Sequence, residues 1–500
     1  MTRATTGNSG VKTMRIVLFV AGVFAAALGG LMVVPAALDA VNGNSDWLAF
    51  MESAVMSVAI GISVAMVNRG GIGEIGKISL RQGYLLTAAS WFAVSLAGAV
   101  PFWVSGLNIS FTDAVFESIS GLTTTGSTVL TGLDVMPQGI LMWRAMLQWV
   151  GGIGIVVMAV AVLPFLRVGG MQLFRMESSD RSDKLQARVA DLSIQIFSIY
   201  LLLTVLCAVG YRYFGMSNFE ATVHAMTTVP TGGYSTSDQS LGHFAGVGIQ
   251  WVAIVFMLAG SLPFAAYVRF LYSFDARAFS EDSQIGVFLG ACLTFTMIIG
   301  LWLVFSGQTA PVDAFRLAAF SIVSIATTTG YVVVDYLTWG PPAVVTFFML
   351  TFVGGCAGST AGGIKTFRLE VLAMEVRRQC RFLAYPNGVF LDRLNGKPVT
   401  GSLAVSVLLF VFLFAASATA MTILLAFTGL DFQTASSAAV TALANVGPGL
   451  GGIIGPSGNF QPLSDAAKWI LDLGMLTGRL EFFTVLVVFI PGIWPAPLWR

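Results

Sequence analysis

The chain of 500 residues is 56% hydrophobic and only 10% charged; soluble globular chains carry about 25% charged residues, so this composition excludes an ordinary soluble fold. With 26 basic against 25 acidic residues the formal net charge is +1, which argues against nucleic acid or any other partner recognised by overall charge. The four cysteines, Cys207, Cys292, Cys356 and Cys380, form no CxxC, CxxH or HExxH pattern, so no metal centre or disulfide framework is implied.

A spanning helix needs about 20 mostly apolar residues. On that criterion ten spans are expected, over 15–37, 47–67, 83–104, 139–166, 192–214, 243–272, 285–306, 342–375, 402–429 and 466–490. The first is too long for a cleavable signal core and reads as a retained span. Most basic residues fall in the N-terminal tail, Arg69–Arg81, Arg167–Arg188, Arg269–Arg277 and Lys365–Lys397. These stretches all lie on the side that an even span count assigns to both termini, so both termini are expected in the cytoplasm.

Four connections on the opposite side are long and apolar: "FTDAVFESISGLTTTGS", "NFEATVHAMTTVPTGGY", "FRLAAFSIVSIATTTGY" and "FQTASSAAVTALANVGP". They align without gaps on Gly126, Gly233, Gly330 and Gly447. Six residues before each glycine stands a hydroxyl, Ser120, Thr227, Ser324 or Thr441, and two before it a small polar residue, Thr124, Thr231, Thr328 or Asn445. The period of roughly a hundred residues is far longer than a solenoid repeat. It implies four copies of a helix, half-helix, helix unit, arranged by one chain as a pseudo-fourfold ring.

The expected fold is therefore an all-α polytopic membrane protein with an N-terminal hairpin over 1–70 and pore repeats over 71–190, 191–284, 285–398 and 399–500. A re-entrant backbone is tolerated in a membrane only where protein or a water-filled cavity satisfies it. The C-terminal end of a half-helix carries about half a negative charge, so four such ends on one axis favour a cation. Glycine just beyond the helix takes positive φ freely. Carbonyl rings of this kind can replace the hydration shell of a monovalent cation.

"GLTTTGST", "PTGGYS", "ATTTGY" and "ANVGPGLG", with "GGCAGSTAGGIKTFR" and "GRLEFFTVLV", together resemble the Trk/Ktr/HKT superfamily of cation transporters over essentially the whole chain, and within it the TrkH type with its extra N-terminal hairpin. The resemblance implies a potassium ion as the bound species, with no organic cofactor, in the inner membrane of a bacterium. It implies ligands from the carbonyls of Thr124 and Thr125, Thr231 and Gly232, Thr328 and Thr329, and Asn445 and Val446, each pair followed by its signature glycine. Gly126, where sodium-admitting relatives often carry serine, points to potassium selectivity. Pro230 departs from the expected serine and removes a backbone donor. The resemblance also implies a homodimer and a cytosolic TrkA-type nucleotide-binding regulatory subunit.

The eighth span holds Gly354, Gly355, Gly358, Gly362 and Gly363. At roughly 1 kcal/mol each relative to alanine, these should break the helix midway. The resemblance makes this segment a loop obstructing the pore beneath the filter, with Lys365 at its end and Arg479, halfway along the tenth span, as a second barrier. Structural alternatives are small-residue helix packing for the glycines and an ion pair to Glu370 or Asp472 for Arg479. Glu481 is not expected on the face of Arg479. His224 and His243 read as packing or interfacial residues, and the basic loop after the eighth span suits either plain membrane orientation or docking of a cytosolic subunit.

The leading function is thus a gated potassium-selective pore and not an enzyme. A proton- or sodium-coupled symporter would favour acids buried at mid-membrane, and no clear candidate is evident. A lipid-modifying enzyme would need a catalytic constellation that the spans do not offer.

Overall fold

The computed structural model of the chain describes residues 4–70, 80–161 and 182–488. The N-terminal hairpin is α1 (Ala4–Leu31) and α2 (Val33–Val41), which together make one span, packed against α3 (Trp47–Val67). Gly22 and Gly61 bring the hairpin's backbones together, for a Cβ on Gly61 would stand 2.6 Å from the Gly22 carbonyl oxygen. Small residues permit such close helix approach in a membrane, where dispersion and not water exclusion drives association.

Four units follow, each with an entering helix, a half-helix and a returning segment. The first is α4 (Leu80–Val104), α5 (Phe111–Leu122) and α6 (Gln138–Ala161); the second is α7 (Ser182–Tyr213), α8 (Asn218–Thr228), α9 (Val247–Ser261) and α10 (Phe264–Ser273). The third comprises α11 (Ser283–Phe305), α12 (Pro311–Ala326), α13 (Pro341–Leu350) and α14 (Thr366–Ala384). The fourth comprises α15 (Gly401–Ala426), α16 (Phe432–Ala444), α17 (Asp465–Leu480) and α18 (Phe482–Val488).

Seven of the ten expected spans are long apolar helices; the sixth, eighth and tenth are not continuous. The sixth bends by 91° between α9 and α10, where Pro263 follows Leu262 in extended conformation. Proline bars the helical region to its predecessor and cannot continue the ladder. The eighth breaks into α13, a loop closed by the short parallel pair β1 (Val353–Gly354) and β2 (Ile364–Lys365), and then α14. That break was expected from its glycines. The tenth breaks at Glu481, whose φ is +63°, a site with no helix breaker in the sequence. The basic stretch expected over Arg167–Arg188 and the middle of Arg69–Arg81 lie largely outside the described residues, as does the end of the tenth span.

The half-helices begin at strong caps. Ser110 accepts from the Asp113 amide, Ser217 and Glu220 form a reciprocal capping box, α12 starts on Pro311, and Asp431 accepts from the amides of Gln433 and Thr434. Each device satisfies or removes amides that a first helical turn would leave unpaired. Beyond α14, β3 (Arg393–Leu394) and β4 (Lys397–Pro398) make a small antiparallel hairpin. Its Leu394 is buried with Phe367, Val371 and Val407.

Candidate functional site

All four half-helices end in the same backbone motif. Thr124, Thr231, Thr328 and Asn445 have φ of +54°, +56°, +59° and +55°, and two residues later Gly126, Gly233, Gly330 and Gly447 have φ of +87°, +77°, +81° and +105°. The amide after each left-handed residue reaches back five positions, from Thr125 to Ser120 O, Gly232 to Thr227 O, Thr329 to Ser324 O and Val446 to Thr441 O, at 2.9 to 3.1 Å. These are Schellman closures. The hydroxyl position six before each glycine is therefore the residue whose carbonyl accepts that closing bond.

Three of the four left-handed positions hold threonine, a β-branched residue for which this conformation costs on the order of 1–3 kcal/mol and persists only when its surroundings over-determine it. The surroundings do so cyclically. A Cβ on Gly126 would stand 2.2 Å from Gly232 O, on Gly233 1.9 Å from Thr329 O, on Gly330 2.0 Å from Val446 O, and on Gly447 2.8 Å from Thr125 O. Each loop thus presses its glycine against the preceding carbonyl of the next, and the fourth returns to the first.

The residue after each glycine reaches the other way. Ser127 Oγ donates to Gly447 O; Tyr234 OH donates to Glu117 O and Ser127 O; Tyr331 OH lies 2.6 Å from Thr227 Oγ1; Pro448 abuts Gly330. The twelve residues Thr124, Thr125, Gly126, Thr231, Gly232, Gly233, Thr328, Thr329, Gly330, Asn445, Val446 and Gly447 are accordingly brought into one ring. Pro230 does not disturb it, since Thr231 and Gly232 still close onto Thr228 O and Thr227 O.

Sequence reasoning missed the supports behind the ring. Gln148 on α6 donates to Gly232 O at 2.6 Å and accepts from the Tyr234 amide. One turn earlier Arg144, buried, donates to Glu117 Oε1 at 2.7 Å, to Ser235 O at 2.9 Å and to Thr128 Oγ1 at 3.1 Å, with its guanidinium 4.0 Å from the Tyr234 ring centroid. His224 is a packed residue, its ring nitrogens 2.8 Å from Glu220 O and 3.0 Å from Ser235 Oγ, whereas His243 is half-exposed beside Asp134. For an acid that could serve coupling, where the sequence offered no clear mid-membrane candidate, the structure buries Glu117 in the network of the first unit's half-helix and Asp472 on α17, and neither Asp472 oxygen has a hydrogen-bond partner among the described residues. The available signal was the i, i+4 spacing of Arg144 and Gln148 in an otherwise apolar span.

Beneath the ring lies the glycine-rich loop. Gly362 N donates to Thr328 Oγ1, Gly363 N to Ala444 O, and Thr360 Oγ1 lies within hydrogen-bonding reach of Val229 O and Thr231 Oγ1. Three half-helices therefore hold it. Its other edge fills the bend of the sixth span, with Cys356 N and Thr360 N donating to Ser261 O and Gly260 O. Glycine is required where Gly354 and Gly362 meet backbone, since Cβ atoms there would stand 2.0 Å from Gly362 O and 2.2 Å from Ala444 O. Gly355 packs against Ser261, and Gly358 has open space around it.

Arg479 donates to Thr360 O at 2.8 Å, while its Nε and Nη2 have no partner among the described residues. Neither Glu370 nor Asp472 is bonded to it; Glu370 accepts from Ser283 Oγ. Glu481 is directed elsewhere, pairing at 2.7 Å with Arg368, which also lies 3.6 Å from the Phe410 ring centroid. Lys365 donates to Ala361 O. Gly362, Lys365 and Arg479 line a small cavity of about 30 Å³. On the opposite side of the ring all four signature glycines line a vestibule of about 210 Å³.

Residues 53–494 match the family model described as TrkH, cation transport protein. The chain is 44% identical over 481 residues to the Trk system potassium uptake protein TrkI of Halomonas elongata, covering 96% of both chains. It is 35% identical over 484 residues to the Trk system potassium uptake protein TrkH of Escherichia coli K12, covering 96% of this chain and 99% of that one. The crystal structure of the potassium transporter TrkH from Vibrio parahaemolyticus superposes with a TM-score of 0.88 at 33% identity, over 96% of this chain and 99% of that chain.

Proposed function

The chain belongs to the TrkH family of cation transport proteins, a multi-pass membrane transporter and not an enzyme, and from that premise we propose that it takes up potassium through the ring of Thr124–Gly126, Thr231–Gly233, Thr328–Gly330 and Asn445–Gly447. The observation that carries this reading is the cyclic contact of four like backbone motifs below a common vestibule. Backbone oxygens held by mutual contact can stand in for an ion's hydration shell at a fixed spacing, which is what separates potassium from the smaller sodium ion. The ligands are the carbonyls of the paired residues before each signature glycine.

The glycine-rich loop from Gly354 to Lys365 and the side chain of Arg479 form the gate. A guanidinium with two nitrogen groups that have no partner among the described residues raises the energy of any cation beside it. Opening requires the loop to leave Thr328, Ala444 and Arg479. The loop continues into α14 and the β3–β4 hairpin, through which a cytosolic TrkA-type subunit on a homodimer would pull. The protein sits in the bacterial inner membrane with both termini cytoplasmic, as its basic loops favour.

The test is rubidium uptake into sealed proteoliposomes with sodium as competitor. Selective uptake with no proton gradient, weakened in Gly126→Ser, is the expected result; a preference for rubidium over sodium unchanged by that substitution overturns the filter assignment. A second reading, proton-coupled symport, is favoured by Asp472, buried with no hydrogen-bond partner among the described residues. Uptake that vanishes without a gradient, and in Asp472→Asn, would establish it instead.

A further inference from the structure

The ring is not buttressed equally. Three returning helices place a glycine against the same carbonyl, four residues before the signature glycine: Gly151 on α6 against Leu122 O, Gly260 on α9 against Val229 O, and Gly478 on α17 against Leu443 O, with Cβ positions 1.8, 2.4 and 2.0 Å away. These contacts set α6, α9 and α17 in common register. Three and seven residues before that glycine, α9 has Met257 and Ala253 and α17 has Met475 and Leu471, all buried. At the same positions α6 has Gln148 and Arg144.

Packing at this depth is thus met by apolar side chains in two units. The third polar solution has another cause. An ion pair buried in this way is no better for stability than well-packed apolar residues, and its best attested use is to fix one arrangement among close alternatives.

The half-helices show the same asymmetry. Nine residues before the signature glycine stand Glu117, His224, Ser321 and Ala438. Glu117 Oε2 accepts from the Val129 amide, and both its oxygens lie 3.0 Å from Thr128 Oγ1. The equivalent His224 reaches Ser235 Oγ at 3.0 Å. Arg144 joins the two sets, touching Glu117 and Thr128 of the first loop and Ser235 O of the second. One carboxylate and one guanidinium therefore tie the chain just past Gly126 to the chain just past Gly233, at the junction where Gly126 meets Gly232 O.

We propose that Glu117 and Arg144 are positioning residues that set the spacing between the first and second filter loops and thereby the discrimination between potassium and sodium. The inference rests on the filter reading above. The pair touches no conducting atom; it acts through Ser127–Val129 and Tyr234–Ser235. A planar guanidinium holding three acceptors fixes both distance and angle, which a lysine ammonium does not.

The test measures sodium inhibition of rubidium uptake by purified protein in proteoliposomes, for Glu117→Gln, Arg144→Lys and the milder Tyr234→Phe, beside Gly126→Ser. Expected is a loss of preference for rubidium over sodium of about tenfold in Glu117→Gln and less in Tyr234→Phe. The double variant with Arg144→Gln and Glu117→Gln should lose no more than Glu117→Gln alone, because residues of one network are not additive. Selectivity equal to the parent in Glu117→Gln and Tyr234→Phe, while Gly126→Ser shifts it, overturns the strut and leaves the filter standing. Selectivity unchanged in all of them overturns the filter reading itself. Should Glu117→Gln fail to fold, Tyr234→Phe, which loses only a hydroxyl, decides.

Discussion

The ring of signature loops and the glycine-rich loop beneath it both rely on glycine, yet they use it in opposite ways. In the ring each glycine is pinned at positive φ against a neighbour's carbonyl, and the following residue bonds to the preceding unit or, at Pro448, packs against it, so no loop can shift without moving two others. In the loop beneath it the glycines end a helix, and the turn that follows is tied through Gly362, Gly363 and Thr360 to three half-helices and through the Cys356 and Thr360 amides to the bend of the sixth span. On the proposed reading, a filter that distinguishes ions by size needs the first kind of backbone. The gate, on the same reading, needs the second, because an element tied by hydrogen bonds can exchange them for others.

The sharpest way to break this contrast is a side chain in the ring. Gly233→Ser puts a Cβ where Thr329 O stands, and should lower selective rubidium uptake at least about tenfold through overpacking and backbone strain; near-parental uptake would show that the ring yields. Next in size is Arg479→Ala, which should raise flux several-fold at unchanged protein level by removing a fixed charge from the path. Equal or lower flux would assign Arg479 to structure, through its bond to Thr360 O.

Gly447→Ala separates the fourth junction from the other three. Its Cβ would stand 2.8 Å from Thr125 O, not the 1.9 to 2.2 Å found elsewhere, so the fall in selectivity should be smaller than for Gly233→Ser in the same assay. The smallest effect belongs to the rim. The Asp431 carboxyl, which caps α16, is held below its ordinary value of 3.8 by the Thr434 hydroxyl and then by the Thr434 and Gln433 amides. A depressed acid contributes stability that is complete above the unfolded value and lost as pH falls through the folded one. Asp431→Ala should accordingly lower the thermal midpoint slightly at pH 7, and the difference from the parent should shrink below about pH 4.

The ring was legible because its four copies repeat, so that a weak local pattern of hydroxyl, small polar residue and glycine became strong in register. Its detailed backbone was not. Threonine rarely adopts positive φ, and only Asn445 among the four residues signals it by type. The break in the eighth span was evident from its glycines, and the bend at Pro263 carried an ordinary proline signal that a hydropathy reading passed over. The kink at Glu481 had none. It is a tertiary feature, in which the carboxylate pairs with Arg368 and the backbone follows. Arg144 and Gln148 went unread because they occur in a single unit, and a reading built on repetition is blind to the place where the units differ.

Because a single polypeptide supplies all four quadrants of the ring, a change in one codon alters one quadrant and leaves three as they were. A channel assembled from four identical chains meets every mutation fourfold and has coarse control over its own selectivity. On the proposed reading tuning can proceed by quarters, since each quadrant has its own pair before the glycine, Thr-Thr, Thr-Gly, Thr-Thr and Asn-Val.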